Sequence, residues 1–138
     1  LLNEISCIKQ KFAQNPKIMA KAIPVMRIYD YAKALEFYKD WLGFNVDWEH
    51  QPEGIPVYMQ ISREGIVLHL SEHHGDGTPG TNVYVEGIDN LRAYNKQLLD
   101  KEYKYMRPGI EPAFWNENIL CMTVIDPFGN RIIFTGDK

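Results

Sequence analysis

The sequence predicts an α+β fold made of two related strand-helix-three-strand modules, and three observations lead there. A short apolar strand, a helical stretch and three further strands occur twice in the same order. Turn-forming glycines and prolines separate the pieces, and the strands alternate apolar with polar residues at period two.

In the first module, residues 23–28 read as a strand. Ala34, Phe37, Tyr38 and Trp41 then recur at helical spacing. Asp30 is the natural N-cap, because its carboxylate can accept the orphan amide hydrogens of the first turn. Gly43 stops the helix, since it tolerates the left-handed conformation that helix ends adopt. Strands are expected at residues 45–49, 57–62 and 66–71, the last two joined by a hairpin at Arg63, Glu64 and Gly65. The run His74, Gly75, Asp76, Gly77, Thr78, Pro79, Gly80 cannot continue a strand and marks the connection between modules. The second module begins with a strand at 82–86 and a helix at 88–101 whose Ile88, Leu91, Tyr94 and Leu98 share a face. Strands at 104–107, 118–125 and 131–135 follow. The last hairpin turns at Asp126, Pro127, Phe128, Gly129 and Asn130, with proline presetting the bend and glycine relieving it.

Bulk composition bounds the function. With 138 residues, 45% of them hydrophobic and 24% charged, the chain has globular proportions and room for one good core. Fifteen Lys and Arg against eighteen Asp and Glu leave a net charge of −3 with no basic stripe, so nucleic acid is not an expected partner. No run approaches the roughly 18 apolar residues that cross a bilayer, so no membrane partner is expected either. Cys7 and Cys121 match no metal spacing and no disulfide framework, and read as free thiols in a reducing cytoplasm. Residues 1–18 precede Met19 and lack a secretory pattern. Leu1, Ile5, Ile8 and Phe12 fall on one helical face, which reads either as an amphipathic helix or as an N-terminal extension of little function. Residues 19–138 are then one domain, with modules at about 22–73 and 81–136.

Strand parity separates two faces. Val57, Met59, Ile61, Ile66, Leu68 and Leu70 point toward a helix, whereas Tyr58, Gln60, Ser62, Val67, His69 and Ser71 point away. The second module repeats this with Val83, Val85, Ile132 and Phe134 against Asn82, Tyr84, Arg131 and Ile133. The face away from the helices is polar yet carries aromatics, as a cavity wall does, and a small organic molecule is the expected occupant.

Several segments carry a resemblance to a known family: Pro24, Val25, Met26, Arg27 with Asp30; Ala34 to Tyr38; Trp41 to Phe44; Leu68 to Gly80; and Asp126 to Arg131. Together, over residues 23–134, they closely resemble the glyoxalase/bleomycin-resistance branch of the vicinal oxygen chelate superfamily. That resemblance implies paired βαβββ modules forming a curved mixed sheet, usually in a homodimer. Enzymes of the superfamily place one metal ligand on the first and one on the last strand of each module. Those positions resemble Ile23, His69, Asn82 and Ile133, of which only His69 is a competent ligand for a transition metal. A vacant site of this kind resembles the drug-binding members, which sequester bleomycin in clefts at a dimer interface without chemistry and without a metal or other cofactor. Bleomycin has flat aromatic rings and a cationic tail, so similarity to its binders points to Trp48 and Trp115 as stacking plates.

Each candidate also has a plain structural reading. Trp48 is in phase with Phe44 and Val46 and serves either as a plate or as core. Trp115 lies in a stretch of turn-like composition, which favours recognition. Tyr58, Gln60 and Tyr84 either line a ligand cavity or hydrogen-bond across it. His69, with His73 and Glu72 nearby, reads as a polar cup residue followed by a solvated turn, or as the remnant of a metal site. Asp47, Glu49 and Glu53 lie beside Trp48 and either attract a cation or are solvated surface. The ligand-binding set expected from the sequence is Trp48, Tyr58, Gln60, His69, Tyr84 and Trp115, with no catalytic residue. The competing expectation is a metal-dependent glyoxalase-like lyase, isomerase or dioxygenase, and a third is a binder of another metabolite, since fold alone does not set function.

Overall fold

A computed structural model describes residues 19–138, so the expectations for residues 1–18, Cys7 included, lie outside the described residues. Strand β1 (Val25–Arg27) leads into helix α1 (Tyr31–Leu35), whose Asp30 cap accepts the Lys33 amide at 2.9 Å. The helix continues through wider π-helical turns at Glu36–Trp41, which the period-3.6 pattern did not predict, and these bury Phe37, Tyr38 and Trp41 together. Gly43, at φ +83°, ends it while the Phe44 amide reaches back to the Tyr38 carbonyl at 2.9 Å. Strands β2 (Asn45–His50), β3 (Tyr58–Arg63) and β4 (Ile66–Ser71) complete the first sheet, with Glu64 and Gly65 both left-handed in the β3-β4 turn.

The second unit holds β5 (Asn82–Val85), α2 (Leu91–Asp100), β6 (Glu111–Ala113), β7 (Asn116–Ile125) and β8 (Arg131–Asp137). The two sheets have orders β1-β4-β3-β2 and β5-β8-β7-β6, and each contains one parallel pair, β1 with β4 and β5 with β8. This is the repeated plan read from the sequence, in an α+β fold.

Two elements differ from expectation. Residues 104–107 form no strand; the second strand of this module is instead β6 at Glu111–Ala113, at the edge of its sheet. Tyrosine favours extended backbone, but Tyr103 stacks on Trp41 at 4.8 Å and 25°, and Met106 packs on the core, so tertiary packing claims the segment. Pro112 is tolerated because β6 is an edge strand. Helix α2 starts at Leu91 rather than Ile88: Asn90 is left-handed and caps the Ala93 amide at 3.1 Å, while Ile88 is buried ahead of the helix.

The helices and the inner faces of both sheets share one core, with Met26, Met59, Leu70, Trp41 and Phe37 from the first unit against Leu98, Met122, Val124 and Phe134 from the second. Polar bonds tie the units together within it. Trp41 Nε1 donates to the Leu98 carbonyl at 3.1 Å, the Tyr94 hydroxyl to the Leu42 carbonyl at 2.7 Å, and the Tyr38 hydroxyl to Asp126 at 2.7 Å. Asp126 also accepts the backbone amides of Phe128 and Asn130 and the Asn130 side-chain amide, at 2.8–2.9 Å, and that amide also donates to the Arg27 carbonyl at 2.8 Å. The last hairpin is therefore a strap between units as well as a turn.

Gly136 shows how closely the layers approach. A Cβ there would lie 2.5 Å from the Ile88 carbonyl oxygen. Gly136→Ala is expected to lower stability by about 1–3 kcal/mol through overpacking against backbone, measured as a drop in the thermal midpoint.

Candidate functional site

A β-bulge decides which way the site points. In β2, Val46 pairs with Ile61 while Trp48 pairs with Gln60, leaving Asp47 as the extra residue. One additional residue exchanges the two faces of a strand. Val46 therefore packs against the core, and Trp48 turns to the opposite face, where it is 43% exposed. The core alternative for Trp48, drawn from its phase with Phe44 and Val46, is corrected by this bulge.

On that face Trp48 lies parallel to Tyr58, with ring centroids 6.0 Å apart and planes inclined by 11°, and both meet the His69 ring edge-on at 5.3 Å. The registers put them together: Tyr58 and Gln60 on β3 pair with Ser71 and His69 on β4, and Val25 on β1 lies beside His69. His69 is held from both nitrogens, by the Tyr58 hydroxyl at Nδ1 (2.8 Å) and by Gln60 Oε1 at Nε2 (3.0 Å). Gln60 Nε2 in turn donates to Asp47 at 3.0 Å, and the Ser62 hydroxyl donates to the other Asp47 oxygen at 2.8 Å. These two hydrogen bonds, Gln60's first, hold the Asp47 carboxyl below its ordinary range. Burial, with Asp76 adding, pushes the Tyr58 hydroxyl up, so it keeps its proton at neutral pH.

The other candidates separate. Strand β4 ends at Ser71, so His73 does not continue its row; its backbone amide bonds the Ser71 hydroxyl and its ring stands 6.3 Å from Tyr58. The three acids do not form one patch. Glu49 pairs with Met59 on the opposite face from Trp48 and accepts the Tyr31 hydroxyl, and Glu53 lies exposed beyond the strand.

Tyr84 and Trp115 form a second platform on the other sheet. Trp115 stands at the β6-β7 turn, 49% exposed and edge-on to Tyr84 at 6.0 Å, with Phe114 beside it 94% exposed. They border a groove of about 320 Å³ whose floor includes Cys121 and Ile133. Burial first, and Glu111 second, push the Cys121 thiol up, which leaves it a poor nucleophile. The six candidates thus fall into two clusters, four on one sheet and two on the other. A larger cavity, about 500 Å³, lies between Lys33 and Glu36 of the first helix and Tyr103, Tyr105 and Met106; none of the six lines it. Its Asp126 has its oxygens occupied by internal donors.

A sequence model described as glyoxalase superfamily protein matches residues 9–138, nearly the whole chain. The chain belongs to the glyoxalase superfamily. Its match begins inside the segment read above as an extension. A bleomycin resistance protein of Geobacillus stearothermophilus is 29% identical over 133 residues, covering 84% of this chain and 96% of the relative, and one from Staphylococcus aureus matches equally. Among solved structures, the bleomycin resistance determinant encoded on transposon Tn5 superimposes with a TM-score of 0.66 at 19% identity, over 87% of this chain and 99% of that one. The bleomycin-binding protein of bleomycin-producing Streptomyces verticillus, complexed with copper(II)-bleomycin, gives 0.63 at 22% identity, over 88% and 98%. These structures share the fold.

The metal positions of the superfamily's enzymes do not suit a metal in this member. Ile133 is buried in a small apolar cluster with Ala113 and Cys121, and both His69 nitrogens are engaged by side chains. The registers place Val25 and Tyr84, rather than Ile23 and Asn82, directly beside His69 and Ile133, which adds no strong donor. Among the described residues no group of three or more His, Cys, Asp or Glu is placed to hold an ion. No helix among them is long and apolar enough to cross a membrane.

Proposed function

We propose that this superfamily member is a cytoplasmic small-molecule binding protein that sequesters a bleomycin-like aromatic cation without transforming it. The observation that carries the reading is the parallel, solvent-facing pair Trp48 and Tyr58, backed by a His69 whose nitrogens are both taken up by hydrogen bonds. Beyond its contacts with its neighbours, such a half-exposed aromatic plate accepts a planar ring by stacking. Relatives named bleomycin resistance proteins, similar along most of the chain, support the ligand class. Tyr84 and Trp115 supply a second plate on the other sheet, and a homodimer that sets one protomer's first sheet against its partner's second brings the two plates onto one ligand.

Stacking pairs contribute about 0.5–1.5 kcal/mol each, whereas micromolar affinity needs about 8 kcal/mol. Most of the affinity therefore comes from enclosure between protomers. Bleomycin added to the purified protein is expected to quench tryptophan emission and saturate near one ligand per chain. Trp48→Ala and Trp115→Ala are each expected to weaken binding about tenfold. Unchanged emission at high micromolar drug, or two variants that bind like the parent, would overturn the proposal. So would stoichiometric transition metal that is lost on His69→Ala and accompanied by turnover.

A further inference from the structure

Asp47, His69 and Tyr58 belong to one chain of hydrogen bonds whose direction is decided at a single end. An ionised carboxylate only accepts. Asp47 therefore requires the amide nitrogen of Gln60 at 3.0 Å, which turns Gln60 Oε1 toward His69. An oxygen 3.0 Å from His69 Nε2 requires that nitrogen to carry the proton. A neutral imidazole protonated at Nε2 accepts at Nδ1, and the Tyr58 hydroxyl, 2.8 Å away, must donate there. With its only proton spent on His69, Tyr58 has lone pairs left to offer outward. Flipping Gln60 would set its oxygen against the Asp47 oxygen, so the reverse direction is closed.

We propose that Asp47 is a positioning residue that fixes His69 as the Nε2-protonated tautomer, so that Tyr58 meets a ligand only as a hydrogen-bond acceptor. The aromatic plate then selects planar ligands that carry donors, such as ammonium, guanidinium or amide N–H groups, over those that carry carboxylates or other acceptors. This rests on the reading of that face as the binding surface. The Ser62 hydroxyl, bonded to the other Asp47 oxygen at 2.8 Å, supports the carboxylate but is no part of the chain to His69.

The wiring is measured without any ligand. At mildly alkaline pH, nitrogen-15 shifts of His69 are expected to show the Nε2-protonated tautomer alone. Asp47→Asn, whose amide can face either way, is expected to produce a mixture, while Ser62→Ala keeps the single tautomer. An Nδ1-protonated parent, a tautomer unchanged in Asp47→Asn, or one scrambled equally in Ser62→Ala overturns the assignment. Selectivity is read with two probes that share a phenyl ring, 2-phenylethylammonium and 3-phenylpropionate. The ammonium is expected to bind about tenfold more tightly. Gln60→Leu, which breaks the chain without changing the charge, is expected to narrow that ratio, and an undiminished ratio overturns the selective role. If neither probe binds, the binding reading and the selectivity fall together, and the tautomer experiment still decides the wiring.

Discussion

Asp126→Ala is expected to lower the free energy of unfolding by about 2–4 kcal/mol, read as a lower urea midpoint at unchanged m. The residue is buried, and four donors converge on its carboxylate: the Tyr38 hydroxyl, two backbone amides and the Asn130 amide. Alanine removes every acceptor at once and leaves those donors at the wall of the neighbouring cavity, where water must replace the carboxylate; each donor left unpaired costs more than its bond contributed net. Tyr38→Phe removes one donor and its partner bond together, so a loss of only about 1–2 kcal/mol is expected. A double-mutant cycle between the two positions is expected to show strong coupling, because the Tyr38 hydroxyl bonds the Asp126 carboxylate directly at 2.7 Å. A loss under about 1 kcal/mol for Asp126→Ala would mean that the hairpin is an ordinary surface turn.

Alkali is expected to remove about 2–3 kcal/mol of stability through Tyr94. Burial pushes this phenol up from 10.0 to about 12, with the Arg63 guanidinium pulling it down and Glu64 pushing it up more weakly. Its hydroxyl donates to the Leu42 carbonyl at 2.7 Å, and the guanidinium lies 3.9 Å over its ring. Because the folded state holds this proton more tightly than the unfolded chain, the contribution is complete below pH 10.0 and disappears as pH rises toward about 12. Tyr38, raised by burial and then by Asp126, acts in the same direction. Urea unfolding across that range checks the sign: Tyr94→Phe should start less stable at neutral pH and fall less steeply above pH 10.0. An equal slope in both proteins would contradict the assignment.

Much of the fold was legible because period-two alternation and glycine position depend on local physics. Strand β4 lies where residues 66–71 alternate, Asp30 caps where a carboxylate precedes a helical pattern, and Gly43 adopts positive φ. The errors arose where distant packing overrides a local pattern. The tyrosines around Lys104 favour a strand by local propensity, but the Trp41 indole gives Tyr103 a better neighbour than a sheet edge does. The site was legible as residue types and less so as an arrangement. Tyr58, Gln60 and His69 share a face by simple parity, whereas Trp48 reaches it only through a bulge, and nothing in the run from Asn45 to His50 announces one. Asp47 was noticed only as one acid among three: parity from Val46 already sets it on the Gln60 face, but its bonds to Gln60 and Ser62 depend on how β2 pairs with β3, which the sequence does not state.

The bulge also ties the direction of the Trp48 side chain to the count of residues along β2. If the same letters paired in unbroken register from Val46, Trp48 would fall opposite Met59 and aim its indole at the helices; with Asp47 taken up as the extra residue it falls opposite Gln60 instead. A one-residue slip of pairing at this point therefore turns the indole from one side of the sheet to the other without any substitution. The pairing register of β2, more than the identity of residue 48, decides whether an aromatic ring stands on this face.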